Sequence, residues 1–404
     1  MKYTTARTFK LQDGTLCNPA RRLKKHRLSL VSLFSKIPDG RSSQGRRYQL
    51  RVILAIIFFG LSSGCKNIAE CWEMAIEKNN LKFLKRLFSL SFGIPHQTTI
   101  SRALAVLKEE DLISTVSFWR RRVFGVKEEA ASMDGKTLNG VHNTKSRHLL
   151  SLFGHKHHQV LGQVSVSSKE NEIPASKRLL AQTETDIAGL VITADAFLTQ
   201  KGIIKDILGK EADYLLTVKK NNKELYEVAE VGFSDKLLDK DEFSYCDYDH
   251  GREVKLKVII SNDFDMEELR KDFLGVCWLG KVIRKGKRPY ERKGSGKTAF
   301  KKFYEESYFI SSLPGLTAEL AAKIVRGHWS IENNLHWQKD WTFLEDRQRL
   351  KRGNAPHIMA FLKGLVIELL HQAGLSKISK ALRSFARNTR KHRIFLKKAL
   401  IISY

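Results

Sequence analysis

Cysteine is scarce and poorly placed for a staple or a metal. The five thiols, Cys17, Cys65, Cys71, Cys246 and Cys277, are odd in number, widely spaced and include no C-x-x-C pair. That argues against a disulfide framework or a zinc ribbon and points to reduced thiols in a cytoplasmic, reducing compartment. Long apolar runs are missing as well. The first of note, Val52 to Phe59, lies deep in the chain and falls far short of the roughly 18 residues that span a bilayer. No secretory signal is read, so no membrane protein is expected. Internal repeats and low-complexity tracts are absent. Acid is the third shortage: 43 Asp and Glu stand against 71 Lys and Arg, a formal net charge of +28.

That surplus is self-repulsive and calls for a polyanionic partner. Nucleic acid is the commonest, and an anionic membrane surface is the other candidate. With 42% hydrophobic and 28% charged residues the composition is that of a folded protein, and 404 residues suggest two or three domains.

Along the chain the character changes several times. Residues 1–28 read as a basic arm. Residues 29–125 carry apolar residues at helical spacing, interrupted by turn residues at Pro38–Ser43 and Gly93–Gln97. The segment after the second turn, Thr98 to Leu104, opens with polar residues. It suits a recognition helix that would offer Thr98, Thr99, Ser101 and Arg102 to DNA, although Ser and Thr at a helix start are also ordinary caps. Residues 126–220 alternate short strands with helix, the pattern of an α/β layer. Residues 221–305 read as a charged, β-rich insertion, and residues 306–375 return to strand and then helix. Residues 376–404 read as a basic helical tail.

Two constellations could carry chemistry. Asp134 and Asp195 each end a short apolar strand, where a charged carboxylate is costly unless a cation partners it. On neighbouring strands they would converge. The alternative for each is a cap on the turn or helix that follows. The second is His328-Trp329-Ser330-Ile331-Glu332-Asn333-Asn334-Leu335-His336-Trp337. On a helix, Glu332 lies one turn from His328 and His336 and two from Lys339. Asn333 and Asn334 are poor helix-interior residues, so something other than propensity keeps them there. The alternative is an amphipathic helix with a salt-bridged Glu. Three carboxylates in a basic protein suit hard divalent cations acting on a phosphodiester.

Here a resemblance becomes specific. Asp134-Gly135-Lys136, Asn171-Glu172-Ile173-Pro174, Thr193-Ala194-Asp195-Ala196 with Gln200, His250-Gly251-Arg252, and the string around Glu332 with Glu345-Asp346 resemble a bacterial insertion-sequence DDE transposase, in the branch that includes the H-repeat-associated proteins. The likeness runs from about Phe34 to about Leu370 and includes Ile37-Pro38-Asp39-x-Arg41 and Gly93-Ile94-Pro95. It implies an α/β fold with a ribonuclease-H-like core in 126–220 and 306–375, the β-rich insertion between them, and an N-terminal all-helical DNA-binding domain. It implies metal-dependent DNA cleavage and strand transfer at element ends. Asp134, Asp195 and Glu332 would be the catalytic triad holding Mg²⁺, with Mn²⁺ as substitute and two ions in place. DNA would be contacted through Lys136, Arg252, His328, His336 and Lys339 besides the recognition helix. The expected partner is double-stranded DNA, held by a homodimer near the bacterial nucleoid. The wider family often shows Tyr-x2-Arg-x3-Glu-x6-Lys; Lys339 fits, while Val325 and His328 replace the tyrosine and arginine.

Two strings are decoys. Gly294-Ser295-Gly296-Lys297-Thr298 lacks the first glycine of a P-loop, with Glu291 in its place. His155-Lys156-His157-His158 matches no zinc spacing and reads as a solvated loop. Competing functions are a catalytically decayed or repurposed DNA-binding relative, which would bind DNA without cutting it, and a nuclease on the same core without strand transfer.

Overall fold

The computed structural model describes residues 9–10, 16–17, 29–123, 128–139, 148–167, 170–183, 187–249, 252–291, 298–399 and 402. The loops read above at 250–251 and 292–297, and most of the basic arm, lie outside the described residues. So does the side chain of Arg252, which begins a strand.

The N-terminal part is helical: α1 (Leu50–Ser62), α2 (Ile68–Ile76), α3 (Lys78–Leu87), α4 (Gln97–Val106) and α5 (Glu109–Val123). Every residue of α1 except Arg51 is buried. A helix apolar all round must sit at the centre of a bundle. The Ile37–Arg41 string is a structural loop. The guanidinium of Arg41 donates to Asp39 Oδ1 and Oδ2, at 2.8 and 2.6 Å, and to the carbonyls of Gly45 and Tyr48.

A nine-stranded mixed sheet follows. Its strands are β1 (Ala130–Thr137), β2 (His148–Gly154), β3 (Val160–Val166), β4 (Val191–Ala194), β5 (Asp213–Val218), β6 (Asp241–Asp249), β7 (Arg252–Ser261), β8 (Trp278–Glu291) and β9 (Thr298–Ser311). The spatial order is β3-β2-β1-β4-β5-β9-β8-β7-β6. β1, β4 and β5 run parallel, and the remaining neighbours are antiparallel. The β-rich insertion is thus no separate layer. It widens the same sheet, and β9 crosses the expected boundary at 305 to pair with β5 through Tyr308–Ser311.

Helices cover both faces. On one, α6 (Glu172–Gln182), α7 (Lys201–Leu208) and α8 (Lys223–Gly232) pack over Ala131, Met133, Ile192 and Ala194. On the other, α10 (Ala318–His328) lays Ala318, Ala321, Ala322 and Ile324 over Ala130, Val191 and Leu215. The short α9 (Met266–Asp272) lies between β7 and β8 in sequence. After α10 comes a π-helical stretch, Ile331–His336, continuing into α11 (Trp337–Trp341).

The chain then returns to the helical core. α12 (Ala355–Gln372) is buried from Ala355 to Leu370 and packs on α1 and α4. The segment expected as a basic tail forms α13 (Ile378–Arg387) and α14 (Thr389–Lys398), which bury Ile378, Leu382, Phe385, Phe395 and Leu396 in the same cluster. No helix among the described residues is long and apolar enough to cross a membrane.

Candidate active site

The site grows from strand periodicity. Side chains alternate between faces of a sheet. In β1, Ala131 and Met133 point into the α6–α8 layer, so Ala130, Ser132 and Asp134 share the α10 face. In β4, Ile192 and Ala194 face the first layer, which puts Val191, Thr193 and Asp195 on the α10 face too. The parallel register pairs Met133 with Ala194. Asp134 and Asp195 therefore follow this pair by one residue on the same side of the sheet; Asp195 stands just beyond the end of β4 as expected, whereas Asp134 lies inside β1, which continues to Thr137 with Asp134 opposite Ser151.

Ser132 and Thr193, one pleat earlier, dock the end of α10. Thr193 Oγ1 lies 2.8 Å from His328 Nδ1, and Ser132 Oγ donates to the His328 carbonyl at 3.0 Å. Ser132 Oγ also meets His155 Nε2 at 2.8 Å. Gly327 is required there, because a Cβ on it would meet His155 Nδ1 at 2.3 Å. His328 thus docks α10 on the sheet: Thr193 takes one ring nitrogen, and burial holds its pKa below the ordinary value. The string His155–His158 is likewise no solvated loop. His155 is pushed down to about 3 by burial, and His158 stacks on Phe153 and lies against His371.

With α10 anchored, the π-helical turn delivers Glu332. Extra residues per turn appear in helices mostly as local features, frequently at functional sites. Here the turn accommodates Asn333 and Asn334, the residues a regular helix interior disfavours. His336 is aimed at Asp134, with Nδ1 3.6 Å from Asp134 Oδ2. Its Nε2 is buried without a hydrogen-bond partner among the described residues, and burial pushes its pKa well below the usual value. His336, expected at DNA, faces the carboxylate site instead.

Asp134 is 23% exposed, and its carboxyl is pushed up to about 7. Burial is the largest cause. The negative charges of Asp195, Glu332 and Glu172 add to it, against a hydrogen bond from the Gly135 amide. Asp195 and Glu332 are exposed. The three expected carboxylates are therefore brought near one another, and Glu172, which packs at Gly135 from the α6 side, adds its charge to Asp134. A cavity of about 740 Å³ opens beside them, lined by Asp134, Asp195, His148, Glu170, Glu172 and Phe197 among others.

Glu172 and His148 are the residues that sequence reasoning misses. His148 Nε2 lies 2.5 Å from Glu172 Oε1, and its Nδ1 lies 3.0 Å from Thr137 Oγ1. Gly135 makes room for the pair, since a Cβ there would meet Glu172 Oε1 at 2.1 Å and His148 Nε2 at 2.2 Å. Glu172 belongs to the Asn171–Pro174 string, but its nearness to Asp134 depends on the register of β1 with β2 and on where α6 lies, which no spacing encodes.

The two expected lysines are both engaged. Lys136 shares the face of Asp134 and is buried. Its Nζ lies 2.6 Å from both carboxylate oxygens of Asp340 and 4.0 Å from Asp346. Lys339 is 1% exposed, and burial pushes its ammonium down to about 8. It belongs to an internal cluster with Glu345 and Lys363. Burial would raise the Glu345 carboxyl, but Lys363, Lys339 and Lys136 together hold it below its usual range. Lys339, expected to hold a DNA phosphate, is thus inside the protein. On α4, Thr98 and Arg102 are exposed, Thr99 and Ser101 are half-buried, and Ile100, Ala103 and Leu104 face the core.

Among the described residues, no group of three or more His, Cys, Asp and Glu side chains stands close enough to hold a metal ion. The chemistry of the donor set still fits one. The donors are carboxylate oxygens, the ligands hard divalent ions take, and their mutual repulsion at Asp134 is what a cation would relieve.

Comparison with known proteins identifies the family. Residues 124–369 match the transposase DDE domain, and residues 31–120 match the DDE_Tnp_1-associated domain. The chain is 30% identical over 359 residues to the H repeat-associated putative transposase YhhI of Escherichia coli K12, covering 84% of this chain and 90% of that protein. It is 31% identical over 356 residues to the putative transposase YncI of Escherichia coli O157:H7, covering 85% and 87%. Putative protein YbfL of Escherichia coli K12 matches at 30% over 359 residues, covering 84% of this chain and 90% of that protein. With matching domains over both its helical and its sheet-bearing parts, the chain belongs to the DDE transposase family.

Proposed function

We propose that this protein is a DNA transposase that cuts at the ends of an insertion sequence and transfers the freed strand, with Asp134, Asp195 and Glu332 holding two Mg²⁺ ions. The observation that carries this reading is that Asp134 on β1 and Asp195 after β4 line one open cavity and that Glu332, from the π-helical turn, stands close enough to act on Asp134 by its charge. The strand order β3-β2-β1-β4-β5, with β1, β4 and β5 parallel, supports a ribonuclease-H-like core. When bound, divalent ions supply charge neutralisation at the phosphodiester and a more acidic attacking hydroxyl or water.

The chain's own residues do the rest. Ser132 and Thr193 fix the end of α10 and so the approach of Glu332. Lys136, through Asp340, ties β1 to α11. His336 stands against Asp134, and Asp134 and Asp195 both line the cavity. The +28 charge holds the DNA backbone, and Thr98 and Arg102 on α4 face outward where DNA can reach them. Two element ends must be held at once, so a homodimer on double-stranded DNA is the working assembly.

The test is cleavage of a labelled duplex carrying the element end, in Mg²⁺ or Mn²⁺. Asp134→Ala, Asp195→Ala and Glu332→Ala are each expected to abolish the cut while leaving DNA binding largely intact. Cleavage retained by any of them removes that residue from the triad.

A further inference from the structure

The helix turn that follows Glu332 exposes two large aromatic rings. Trp337 is 51% exposed and Trp341 67%. Four residues apart on α11, they lie parallel, with ring centroids 5.9 Å apart and planes 9° from each other. Water-facing tryptophans of this size are uneconomical in a fold with three well-formed apolar clusters nearby. Packing does not explain them, because the buried side of α11 is filled by Lys339.

The segment that follows the rings in the chain is cationic. The chain turns from α11 through residues 345–347, which pack against it, into Arg347, Arg349, Lys351 and Arg352. All four side chains are exposed, and none is paired among the described residues. The nearby acids are already engaged: Asp340 and Asp346 by Lys136, and Glu345 by Lys363. A flat aromatic platform followed in the chain by exposed cations is the combination that binds single-stranded nucleic acid, where bases stack on rings and phosphates meet the charges. In a duplex the base faces are covered, so the rings select an unpaired base. A second copy of this chain fits poorly, because it would bring its own +28 charge against the same cations.

We infer that Trp337 and Trp341 form a stacking platform for an unpaired DNA base, with Arg347, Arg349, Lys351 and Arg352 as the track for its strand. The platform stands five residues beyond Glu332. That it receives a strand freed or frayed at the cutting site rests on the proposed function. The binding itself does not.

The test is anisotropy of a labelled (dT)12 oligonucleotide and of a blunt hairpin duplex, titrated with the full chain in EDTA so that no cleavage occurs. Trp337→Ala/Trp341→Ala is expected to weaken (dT)12 binding by roughly tenfold or more, the scale of a lost base stack, with duplex affinity little changed. Trp337→Phe/Trp341→Phe keeps the aromatic faces and is expected to restore most of the binding. Both rings are exposed, and equal thermal midpoints would show that the variants fold alike; if the double alanine variant does not fold, Trp341→Ala alone carries the comparison. The titrations are run in EDTA, where no cleavage takes place, so a failed cleavage assay leaves this result standing. Equal losses on both DNAs, or no loss on (dT)12, overturn the platform. A shift in sedimentation with unchanged (dT)12 affinity overturns it too and marks the rings as a contact between copies.

Discussion

His392 shows how one buried residue ties a distant segment to the core. It sits on α14, yet its Nε2 lies 2.7 Å from Ser62 Oγ on α1, and its ring stacks on Phe385. Burial first, and Arg393 second, push its pKa down to about 3. In the unfolded chain a histidine takes a proton near 6.5. Between these values the unfolded state binds more protons than the fold, so stability is complete above about pH 6.5 and is lost as pH falls toward 3. Denaturant unfolding at pH 7 and pH 5 is expected to show this loss. His392→Gln is expected to reduce the difference by up to about 1.4 kcal/mol per pH unit. Other groups titrate over the same range: burial lowers His155, His157 and His371 and raises Glu109 and Glu128. The wild type and the variant share those groups, so the difference between them isolates His392. An identical slope in both would place the proton elsewhere.

At the scale of elements, the decisive unit is the run from α10 through the π-helical turn to α11. Its outer side carries Glu332 and the tryptophans, and its inner side carries Lys339. A lysine seven residues after the glutamate fits the family spacing, but spacing does not fix the direction of a side chain once the helix changes pitch. The π-helical turn does so, and the cluster of Lys339, Glu345 and Lys363 fills the space behind it. Lys339→Met is therefore expected to alter the unfolding free energy and to leave the salt dependence of DNA binding unchanged. A lysine on a phosphate would instead lower the slope of log K against log salt by about 0.9. Measuring that slope for the two proteins decides between the positions.

For the whole molecule, the question is what joins the helical part to the sheet. Arg120 on α5 donates from Nε to Glu368 Oε1 at 2.8 Å, pairs through Nη2 with Oε2, and donates from Nη1 to the Val160 carbonyl at 2.7 Å. One guanidinium thus binds α5, α12 and β3, with both charged partners buried. Removing one member of a buried pair strands the other in a medium of low dielectric. Arg120→Met is expected to cost roughly 3–5 kcal/mol, and Arg120→Met/Glu368→Leu to recover much of it. Calorimetric unfolding of both variants checks this. Equal destabilisation by the two would mean that the Val160 contact, and not the ion pair, is the junction.

Much was legible in the residues themselves. The +28 charge, the helical character of 29–125, the strand end at Asp195 and the unusual string around Glu332 are local properties of sequence, whereas β1 runs on past Asp134 to Thr137 because β2 pairs with it there. They follow from charge, periodicity and propensity, which act between near neighbours. The parallel register of Met133 with Ala194, the inward turn of Lys339 and His328, the meeting of His148 with Glu172 across Gly135, and the return of α12–α14 to the helical core join residues tens to hundreds of positions apart. Packing decides such contacts, because each depends on how the whole chain buries its apolar surface, and no segment carries that information alone.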